Sequence, residues 1–332
     1  MQKPEINIFD ILSKCKRAHI KIDGGLFEDI KQKIIKKYGS ITDASRAYGV
    51  EPATLRWEFR RNAYHPFDRI LRIIADISLP KHVLYDSILG FYAWGSHRKD
   101  PIAIPRLMWV TPDLVEGFAL YLAEGDNGSN GTTKPRKIRF TNANPAVIQY
   151  FMGWLDRHFN SIPYYVTIIN PLGSSFSTAH WIHPSVRIHQ TFDAYNTAVK
   201  YRVCLDSSIL IDVLLGMNHS IKKLCLVYRE LAAAYIRGMM AGEGTVYFNK
   251  SRYVRIEMRN PQEMVHIHQL FLILGFECKL TCRNNRHDMW SIYIGASQLK
   301  KYSALIGFGA EDARQELLMA AAHKQLQVNQ YG

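Results

Sequence analysis

The feature that most constrains the fold is a nine-residue pattern that occurs twice. It reads Gly-Phe-Ala-Leu-Tyr-Leu-Ala-Glu-Gly at 117–125 and Ile-Arg-Gly-Met-Met-Ala-Gly-Glu-Gly at 236–244. Both copies are rich in good helix formers and end in Glu-Gly, so each is predicted to be the end of a helix. The final glycine suits a left-handed residue just past the helix, a conformation that costs glycine little.

Small residues four positions apart mark one face of each predicted helix. They are Ala119 and Ala123 in the first copy, and Gly238 and Gly242 in the second. Residues at this spacing share a helix face, and small side chains allow two helix backbones to approach closely. We therefore expect the two helices to pack against each other through these four residues.

The same position of each copy carries a glutamate, Glu124 or Glu243. Each is predicted to lie at a helix C-terminus, where the helix macrodipole disfavours an anion. A carboxylate held against this field indicates a nearby cation, most simply a metal ion. Packing of the two small-residue faces would bring both carboxylates to one place.

The duplication extends beyond the two helices. Each copy continues with an alternating segment predicted to be a strand (137–142 or 253–258), an Asn-Pro pair and an amphipathic helix. The pairs begin at Asn144 and Asn260, 116 positions apart, whereas the two glutamates are 119 positions apart. This near-constant offset argues for an internal repeat within one chain.

Each copy is predicted to end with two more strands and a closing helix. The strands are predicted at 164–169 and 185–188 in the first copy, and at 277–282 and 289–294 in the second. The closing helices are predicted at 209–215 and 298–305. Both copies thus give the order helix, two strands, helix, two strands, helix.

The N-terminal third carries a different pattern. Residues 26–77 are predicted to form a compact helical unit, and the run 40–55 is similar to a helix-turn-helix, with a turn at Gly49 and a buried Leu55. Thr42 is the predicted cap of the first of these helices. The second helix would contact DNA through Thr54, Arg56, Arg60 and Arg61. A three-helix bundle with a solvated basic face is the alternative.

Between this unit and the first repeat, residues 91–109 lose periodicity and are predicted to be a linker. The predicted domains are therefore 1–105 (helix-turn-helix-like helical domain and linker), 106–226 (first repeat) and 227–332 (second repeat).

The charge balance favours a polyanionic partner. The formal net charge is +13 and the pI is about 9.4, which makes nucleic acid the first candidate, with an unremarkable basic protein as the alternative. Hydrophobic residues make up 47% of the chain, as expected of a globular protein. The sequence predicts no signal peptide and no membrane span. Five scattered cysteines suit a reducing compartment, so we expect a cytoplasmic protein.

The nine-residue pattern resembles the LAGLIDADG motif of homing endonucleases, and its two copies resemble the single-chain form of that family. The resemblance covers about residues 111 to 325. The first copy departs more, because it has alanine where the family usually has its first glycine. Together with the N-terminal pattern, the resemblance implies an α+β fold: a helical helix-turn-helix domain followed by two pseudo-symmetric αββαββα halves that form a DNA-binding saddle.

The resemblance also implies an activity and its residues. It implies a monomeric, Mg²⁺-dependent endonuclease that hydrolyses both strands of a long, pseudo-symmetric double-stranded DNA target. Glu124 and Glu243 would hold the metal, with Gly125 and Gly244 beside them. The family usually has a basic residue near each scissile phosphate, and the candidates here are Lys222 and Lys223 in the first copy and Arg314 in the second. For each, a structural helix charge is the alternative interpretation.

Basic residues also accompany the predicted strands of each half. In this interpretation they contact DNA, because arginine can bind guanine bidentately or hold phosphate. The alternative is a solvated sheet face. The predicted contacts are Lys134, Arg136, Lys137 and Arg139 in the first half, and Lys250, Arg252, Arg255 and Arg259 in the second.

Two other functions remain open from the sequence. One is a non-cleaving DNA-binding transcription regulator on the same scaffold. The other is an RNA maturase that helps an intron to fold. The two retained glutamates favour the nuclease, since a protein that only binds DNA has no reason to keep two acids beside phosphate.

Overall fold

The chain forms two compact units. A computed structural model describes residues 4–61, 64–93, 101–126, 137–159, 162–283 and 288–323. We call the two units the N-terminal unit (Glu5–Trp109 with Ser207–Met217) and the repeat unit (Met1–Pro4, Val110–Asp206 and Asn218–Gly332).

The N-terminal unit combines helices with short strands. Its helices are α1 (Ile8–Leu12), α2 (Gly24–Tyr38), α3 (Ile41–Ala47), α4 (Pro52–Arg61), α5 (Phe67–Asp76) and α6 (Lys81–Asp86). Its strands are β1 (Glu5–Asn7), β2 (Ala18–Ile22), β3 (His65–Pro66), β4 (Ile88–Ala93) and β5 (Leu107–Trp109). Strand β2 pairs antiparallel with both β3 and β4, and β1 pairs antiparallel with β5.

The prediction of a purely helical N-terminal domain followed by a linker is therefore wrong in part. Strand β2 buries Ile20 and Ile22 completely, and the predicted linker begins inside β4, where Phe91 is also buried. The predicted linker ends in β5, which pairs with β1. Both pairings join segments about 70 or more positions apart, and a local sequence pattern does not report contacts at that separation.

The helix pair α3 and α4 meets at a turn containing Gly49. This glycine has a φ of +62°, which L side chains rarely adopt, and Leu55 of α4 is fully buried, as the pattern predicts. The cap of α3 is Ser40, whose hydroxyl accepts the Asp43 backbone N–H, and not Thr42, which lies inside the helix. The use of this pair as a DNA-reading helix-turn-helix stays a prediction.

The repeat unit contains two similar halves. The first half comprises α7 (Pro112–Glu124), β6 (Gly125–Asp126), β7 (Ile138–Asn142), α8 (Pro145–Phe159), β8 (Tyr165–Pro171), β9 (Arg187–Asp193), β10 (Lys200–Leu205) and the later part of α9 (Ser208–Val227). The second comprises α10 (Arg229–Glu243), β11 (Gly244–Phe248), β12 (Arg252–Met258), α11 (Pro261–Ile273), β13 (Leu280–Arg283), β14 (Met289–Gly295), α12 (Leu299–Leu305) and α13 (Asp312–His323).

The two sheets share one topology over four strands. Their orders are β6-β7-β10-β8-β9 and β11-β12-β14-β13, so β10 takes the place of β14. The strand predicted at 185–188 is present in part as β9, but β9 is an extra edge strand parallel to β8 and not the counterpart of a strand in the second half. Strand β10 was absent from the prediction. The result is the α+β fold expected, with two pseudo-symmetric halves.

Each half packs one sheet face against its second helix. In the first half, Phe140 of β7 stacks on Phe151 of α8 with ring centroids 4.1 Å apart, and Trp154 is buried beside them. Helices α8 and α11 begin at the predicted Asn-Pro pairs: the Asn144 side chain accepts the Ala146 N–H, and Asn260 caps α11 in a similar way. The closing helix α12 lies close to its predicted bounds, whereas α9 is longer than predicted.

No helix among the described residues is long and apolar enough to cross a membrane. The five cysteines are free thiols, as a reducing compartment would permit.

Candidate active site at the ends of the motif helices

The motif helices α7 and α10 pack through the predicted small residues. A Cβ added to Gly238 would lie 2.2 Å from the Glu116 carbonyl oxygen and 2.9 Å from the Ala119 Cβ. A Cβ added to Gly242 would lie 2.5 Å from the Ala123 Cβ. At each level an alanine of α7 faces a glycine of α10, so there is room for only one methyl group. The predicted helix interface is therefore present.

Each motif helix passes directly into a strand. Gly125 (φ −85°, ψ 154°) and Gly244 (φ −81°, ψ 156°) are extended, so the prediction of a left-handed residue after the helix is wrong. Space explains the glycines instead. A Cβ on Gly125 would meet the Tyr121 ring at 2.3 Å, and one on Gly244 would meet the Met240 carbonyl oxygen at 2.5 Å.

A buried ion pair joins the two helices near their middle. The Arg237 guanidinium of α10 donates to the Glu116 carboxylate of α7 at 2.8 Å, and to the Ile306 carbonyl. Burial raises the pKa of Glu116, while Arg237 opposes the rise. The pair adds an electrostatic link to the small-residue interface.

Glu124 ends α7 in a partly buried environment. Burial and the charge of Glu243 raise the pKa of Glu124 to about 7, with Arg314 and Lys200 opposing the rise and Glu311 adding to it. The Asn142 side chain donates to the Glu124 Oε1 at 3.4 Å. A Cβ added to Gly242, the residue before Glu243, would lie 2.9 Å from the Glu124 Cγ, so the packing of the helices brings the two motif glutamates close together.

Glu243 ends α10 and is the more exposed of the two. Desolvation by the surrounding protein raises its pKa, and Arg314 opposes this rise. Both glutamates therefore sit where a carboxylate is less favourable than in water. A cation bound at this place would stabilise the ionised form of both side chains.

Arg314 of α13 has a structural role at the end of α10. Its Nη1 donates to the carbonyls of Met240, Ala241 and Gly242 at 3.2, 2.9 and 3.1 Å. These carbonyls belong to the last turn of α10, and the Met240 carbonyl also accepts the Gly244 backbone N–H. The predicted basic residue thus lies beside the glutamates, and it also caps the helix that carries Glu243.

A second residue of this region reaches the first half. The Glu311 carboxylate, just before α13, accepts the Asn144 side-chain N–H at 2.9 Å. The segment from Glu311 to Arg314 therefore contacts both halves beside the motif glutamates. The first half has no helix that matches α13 among the described residues.

Lys222, the other predicted basic residue, lies in an ion pair elsewhere in the repeat unit. Its ammonium donates to the Glu263 carboxylate at 2.6 Å, and the Tyr235 hydroxyl donates to the same carboxylate at 2.6 Å. Lys222 is not among the charges that act on Glu124 or Glu243. The structure does not bring it together with the glutamates.

Sequence reasoning missed three residues that surround Glu124: Lys200, Glu311 and Asn142. Lys200 opens β10, the strand that was absent from the prediction. Asn142 ends β7, and its distance of 18 positions from Glu124 gave no signal. Recognition of β10 as the counterpart of β14 would have identified Lys200 as a basic residue of the first sheet.

The exposed face of the first sheet carries basic residues. Arg139 pairs with Asp126 at 2.6 Å, and Arg202 of β10 donates to the Thr141 hydroxyl at 2.9 Å. Thr141 and Arg202 are directly opposite each other in the β7–β10 register, so they share a face. Arg202 was not among the predicted contacts.

On the corresponding face of the second sheet, basic side chains are paired with other side chains of the same sheet. Arg255 lies over the Tyr247 ring, 4.8 Å from its centroid, and donates to the Tyr247 hydroxyl at 2.7 Å. Glu257 accepts Arg255 at 3.1 Å and Arg283 at 2.6 Å. The guanidinium of Arg255, a predicted DNA contact, is therefore already held within the protein.

The other predicted DNA contacts have different surroundings. Lys250 and Arg259 are exposed, Lys137 is partly buried, and Arg252 donates to the Ala321 carbonyl of α13. Lys134 and Arg136 lie outside the described residues. In the N-terminal unit, the exposed side of α4 carries Thr54, Arg56 and Arg60, and only the backbone of Arg61 is described.

The donors beside Glu124 and Glu243 fit a hard divalent cation. Two carboxylates whose charges repel each other, and an adjacent amide side chain, supply oxygen ligands, which Mg²⁺ and Ca²⁺ prefer. Among the described residues, no group of three or more His, Cys, Asp or Glu side chains forms a ready-made metal cluster. A cation here would thus depend on the two glutamates together with backbone, water or substrate oxygens. The predicted part played by Gly125 and Gly244 stays a prediction.

Comparisons with known proteins agree with the sequence resemblance in the second half. Residues 230–307 match the family model described as a LAGLIDADG-like domain. Among solved structures, this chain is similar to I-DmoI in complex with DNA and Ca, with 12% sequence identity and a TM-score of 0.42. The match covers 64% of this chain and 100% of the I-DmoI chain. No curated protein matched.

Two further solved structures are similar at the same level. The homing endonuclease I-WcaI bound to its DNA recognition sequence is 13% identical, with a TM-score of 0.41 over 62% of this chain and 88% of its own. Full-length DUF199/WhiA from Thermatoga maritima is 11% identical, with a TM-score of 0.40 over 65% of this chain and 62% of its own. The match to the family model covers the elements of the second half from α10 to α12.

Proposed function

We propose that this chain is a site-specific DNA endonuclease of the LAGLIDADG homing type that hydrolyses both strands of a double-stranded target with a divalent metal, most simply Mg²⁺. The observation that carries the proposal is the juxtaposition of Glu124 and Glu243 at the ends of two tightly packed helices. A protein that binds DNA without cleaving it has no use for two carboxylates that repel each other. Such a pair is useful where a cation has to be held.

Glu124 and Glu243 would hold the cation. When bound, a divalent cation lowers the pKa of a coordinated water and neutralises charge that develops on the phosphate. Asn142 orients the Glu124 carboxylate through its hydrogen bond, and Arg314 stiffens the last turn of α10 beneath Glu243. Lys200 adds a positive charge that favours the ionised form of Glu124.

Basic residues of the exposed sheet faces would bind the DNA backbone. Arg139 and Arg202 lie on the first sheet, while Lys250 and Arg259 are exposed in the second half. Phosphate contacts of this kind set the position of a protein on a duplex, whereas base contacts in the grooves specify the sequence. The net charge of +13 supports a polyanionic partner.

The proposal is tested by cleavage of DNA spanning the insertion site of the protein's own gene, with Mg²⁺ or with EDTA. We compare wild type with Glu124→Gln and Glu243→Gln. The matched control is Glu230→Gln, an exposed glutamate at the opposite end of α10. Metal-dependent breaks in wild type and the control, with a loss of at least about 100-fold in the two motif variants, would support the nuclease.

Specific binding without metal-dependent breaks in any of the four proteins would contradict the nuclease. That result would leave a non-cleaving DNA-binding regulator on the same scaffold. Preferential binding to structured RNA over the duplex would instead favour the maturase.

A further inference from the structure

Strand β9 is an addition to the first half that has no counterpart in the second. It pairs in parallel with β8 at the outer edge of the first sheet, whereas the second sheet ends at β13. Parallel strands are ordinarily covered on both faces. Five of the seven residues of β9 are exposed, and the other two are only partly buried, so neither face of this strand is fully covered.

The two faces of β9 have different surroundings. Gln190 accepts a hydrogen bond from Asn170 and donates to the Ser177 carbonyl, and Ile188 lines a cavity of about 510 Å³ with Ala179. The segment that leads into β9 therefore contacts this face, although Ile188 itself remains 42% exposed. It serves the structure of the insertion.

The opposite face of β9 continues the basic face of the first sheet. In the β8–β9 register, Arg187 is opposite Tyr165 and His189 is opposite Thr167. The rings of Tyr165 and His189 lie 5.1 Å apart, which shows that both side chains are on one side. Thr167 in turn is opposite Arg202 of β10. The row of side chains from β7 to β9 thus runs without interruption.

Arg187 extends this row with an available positive charge. It is exposed, and it makes no ion pair or hydrogen bond with another side chain in the part of the chain that the structure describes. By contrast, the edge strand of the second half carries Arg283, which is paired with Glu257 at 2.6 Å. An unpaired arginine beside a histidine on a sheet face suits the groove edges and phosphates of a duplex.

We propose that β9 contacts DNA beyond the reach of the second half's sheet, so that the first half recognises the longer half-site. Arg187 and His189 are the residues that make this contact. The inference rests on the proposed function, since it requires a duplex along the sheet faces. Neighbouring strands lie about 4.8 Å apart and base pairs rise by about 3.4 Å, so one strand adds roughly one to two base pairs.

The experiment selects binding sites from a duplex library with a randomised central segment, in Ca²⁺ and with the full-length protein. Wild type is compared with the double variant Arg187→Gln/His189→Gln. The control is Ile188→Thr, on the opposite face of the same strand. We expect wild type and the control to select a site that extends further on one side. The double variant should lose preference at the outermost one or two base pairs of that side and weaken binding roughly 3- to 10-fold.

The outcomes separate the two proposals. If wild type enriches no duplex sequence, the DNA-binding function fails and the β9 contact fails with it. If wild type selects a site and the double variant selects the same site with the same length, β9 only closes the sheet edge and the inference alone is overturned. Equal losses in the double variant and in Ile188→Thr would also overturn it, because they would indicate a general disruption of β9.

Discussion

The two halves of the repeat unit agree in their backbone and differ in their sheet faces. Both motif helices end in Glu-Gly and pass directly into a strand, and four strands follow one topology in each half. The first sheet, however, presents Arg202, Lys200 and Arg187, while the second binds Arg255 and Arg283 to Glu257. Close steric contact limits which residues can occupy the interface between the two motif helices. The solvent-exposed faces of the two sheets are not limited in this way.

The difference reaches the neighbourhood of the glutamates. Lys200 precedes Tyr201, which pairs with Asn142 three positions before α8. The equivalent position of the second sheet is Met289, which precedes Trp290 opposite Met258. The second half thus lacks a lysine at this place, and Arg314 of α13 supplies a positive charge from outside the repeated elements. The two glutamates are therefore equivalent in backbone and different in electrostatics.

The largest expected effect is at the helix interface, where each alanine of α7 faces a glycine of α10. Gly238→Ala should destabilise the repeat unit by about 3–4 kcal/mol, because its Cβ would collide with a backbone oxygen. A Cβ at position 242 would lie 2.5 Å from the Ala123 Cβ and 2.9 Å from the Glu124 Cγ. Because the Glu124 side chain can move, the exchange Ala123→Gly/Gly242→Ala should restore much of the stability. Urea unfolding measures both.

The corresponding exchange Ala119→Gly/Gly238→Ala is the matched control. It should not restore stability, since the Glu116 carbonyl remains 2.2 Å from the added Cβ. Full recovery in this double variant would show that side chains, and not backbone approach, set the interface.

The next effect concerns the pH dependence of stability. The pKa of Glu124 is raised to about 7 from its ordinary value of 4.5. The destabilisation caused by this carboxyl group is therefore absent below pH 4.5 and grows as the pH rises through 7. Glu124→Gln should therefore raise the free energy of unfolding by roughly 2 kcal/mol at pH 8 and leave it unchanged near pH 4.

Thermal unfolding from pH 4 to pH 8 measures this difference. Glu230→Gln, on the exposed surface, should change stability little at either pH. A Glu124→Gln variant that is no more stable than wild type at pH 8 would contradict the raised pKa of Glu124, to which burial contributes most and Glu243 adds.

A smaller effect is expected at Arg314, a residue of α13 that has no counterpart among the described residues of the first half. Arg314→Met removes three hydrogen bonds to the end of α10 and should destabilise the protein by about 1–2 kcal/mol. Because Arg314 lowers the pKa of Glu124 and Glu243, its loss should raise both pKa values and weaken Ca²⁺ binding at pH 7.

Isothermal titration with Ca²⁺ at pH 7 and pH 8.5 measures the second part. Arg314→Lys keeps the charge and should retain more of the affinity than Arg314→Met. Equal Ca²⁺ affinity in wild type and Arg314→Met at both pH values would show that Arg314 is only a helix cap.

The smallest expected effect compares the two sheet faces by their salt dependence. Arg202→Met should reduce the slope of log affinity against log salt by about 1 on a duplex of random sequence, because one phosphate contact is lost. Arg255→Met should leave the slope unchanged, since Tyr247 and Glu257 already hold that guanidinium. Titrations between about 50 and 200 mM salt distinguish them. Equal reductions of the slope in both variants would contradict the proposed difference between the two sheet faces.

Much of the helix arrangement could be predicted from the sequence. Small residues four positions apart, the terminal Glu-Gly and the Asn-Pro pairs are local signals, and they identified α7, α10 and the starts of α8 and α11. The glutamate pair followed from the packing of these helices. The conformation of Gly125 and Gly244 was predicted wrongly, because glycine is required there by neighbouring atoms and not by a positive φ.

The features that escaped prediction depend on contacts between distant segments. Strand β10 follows an insertion that separates it from β8, and its partner β7 lies about 60 positions earlier. Arg314 donates to carbonyls more than 70 positions away, and Lys222 forms an ion pair with Glu263. None of these partners is visible in a local pattern. The basic residues could be found in the sequence, but their partners could not.

The absence of any loop between each motif helix and its first strand has a consequence for engineering. Glu243 is the last residue of α10, and Gly244 is the first residue of β11. A change in the position of β11 is therefore transmitted to the Glu243 carboxylate without an intervening hinge. Under the proposed function, redesign of sequence preference on this strand would alter turnover at the same time, so the two properties would have to be selected together. Strand β9, far along the chain from either glutamate, would be the safer place to begin.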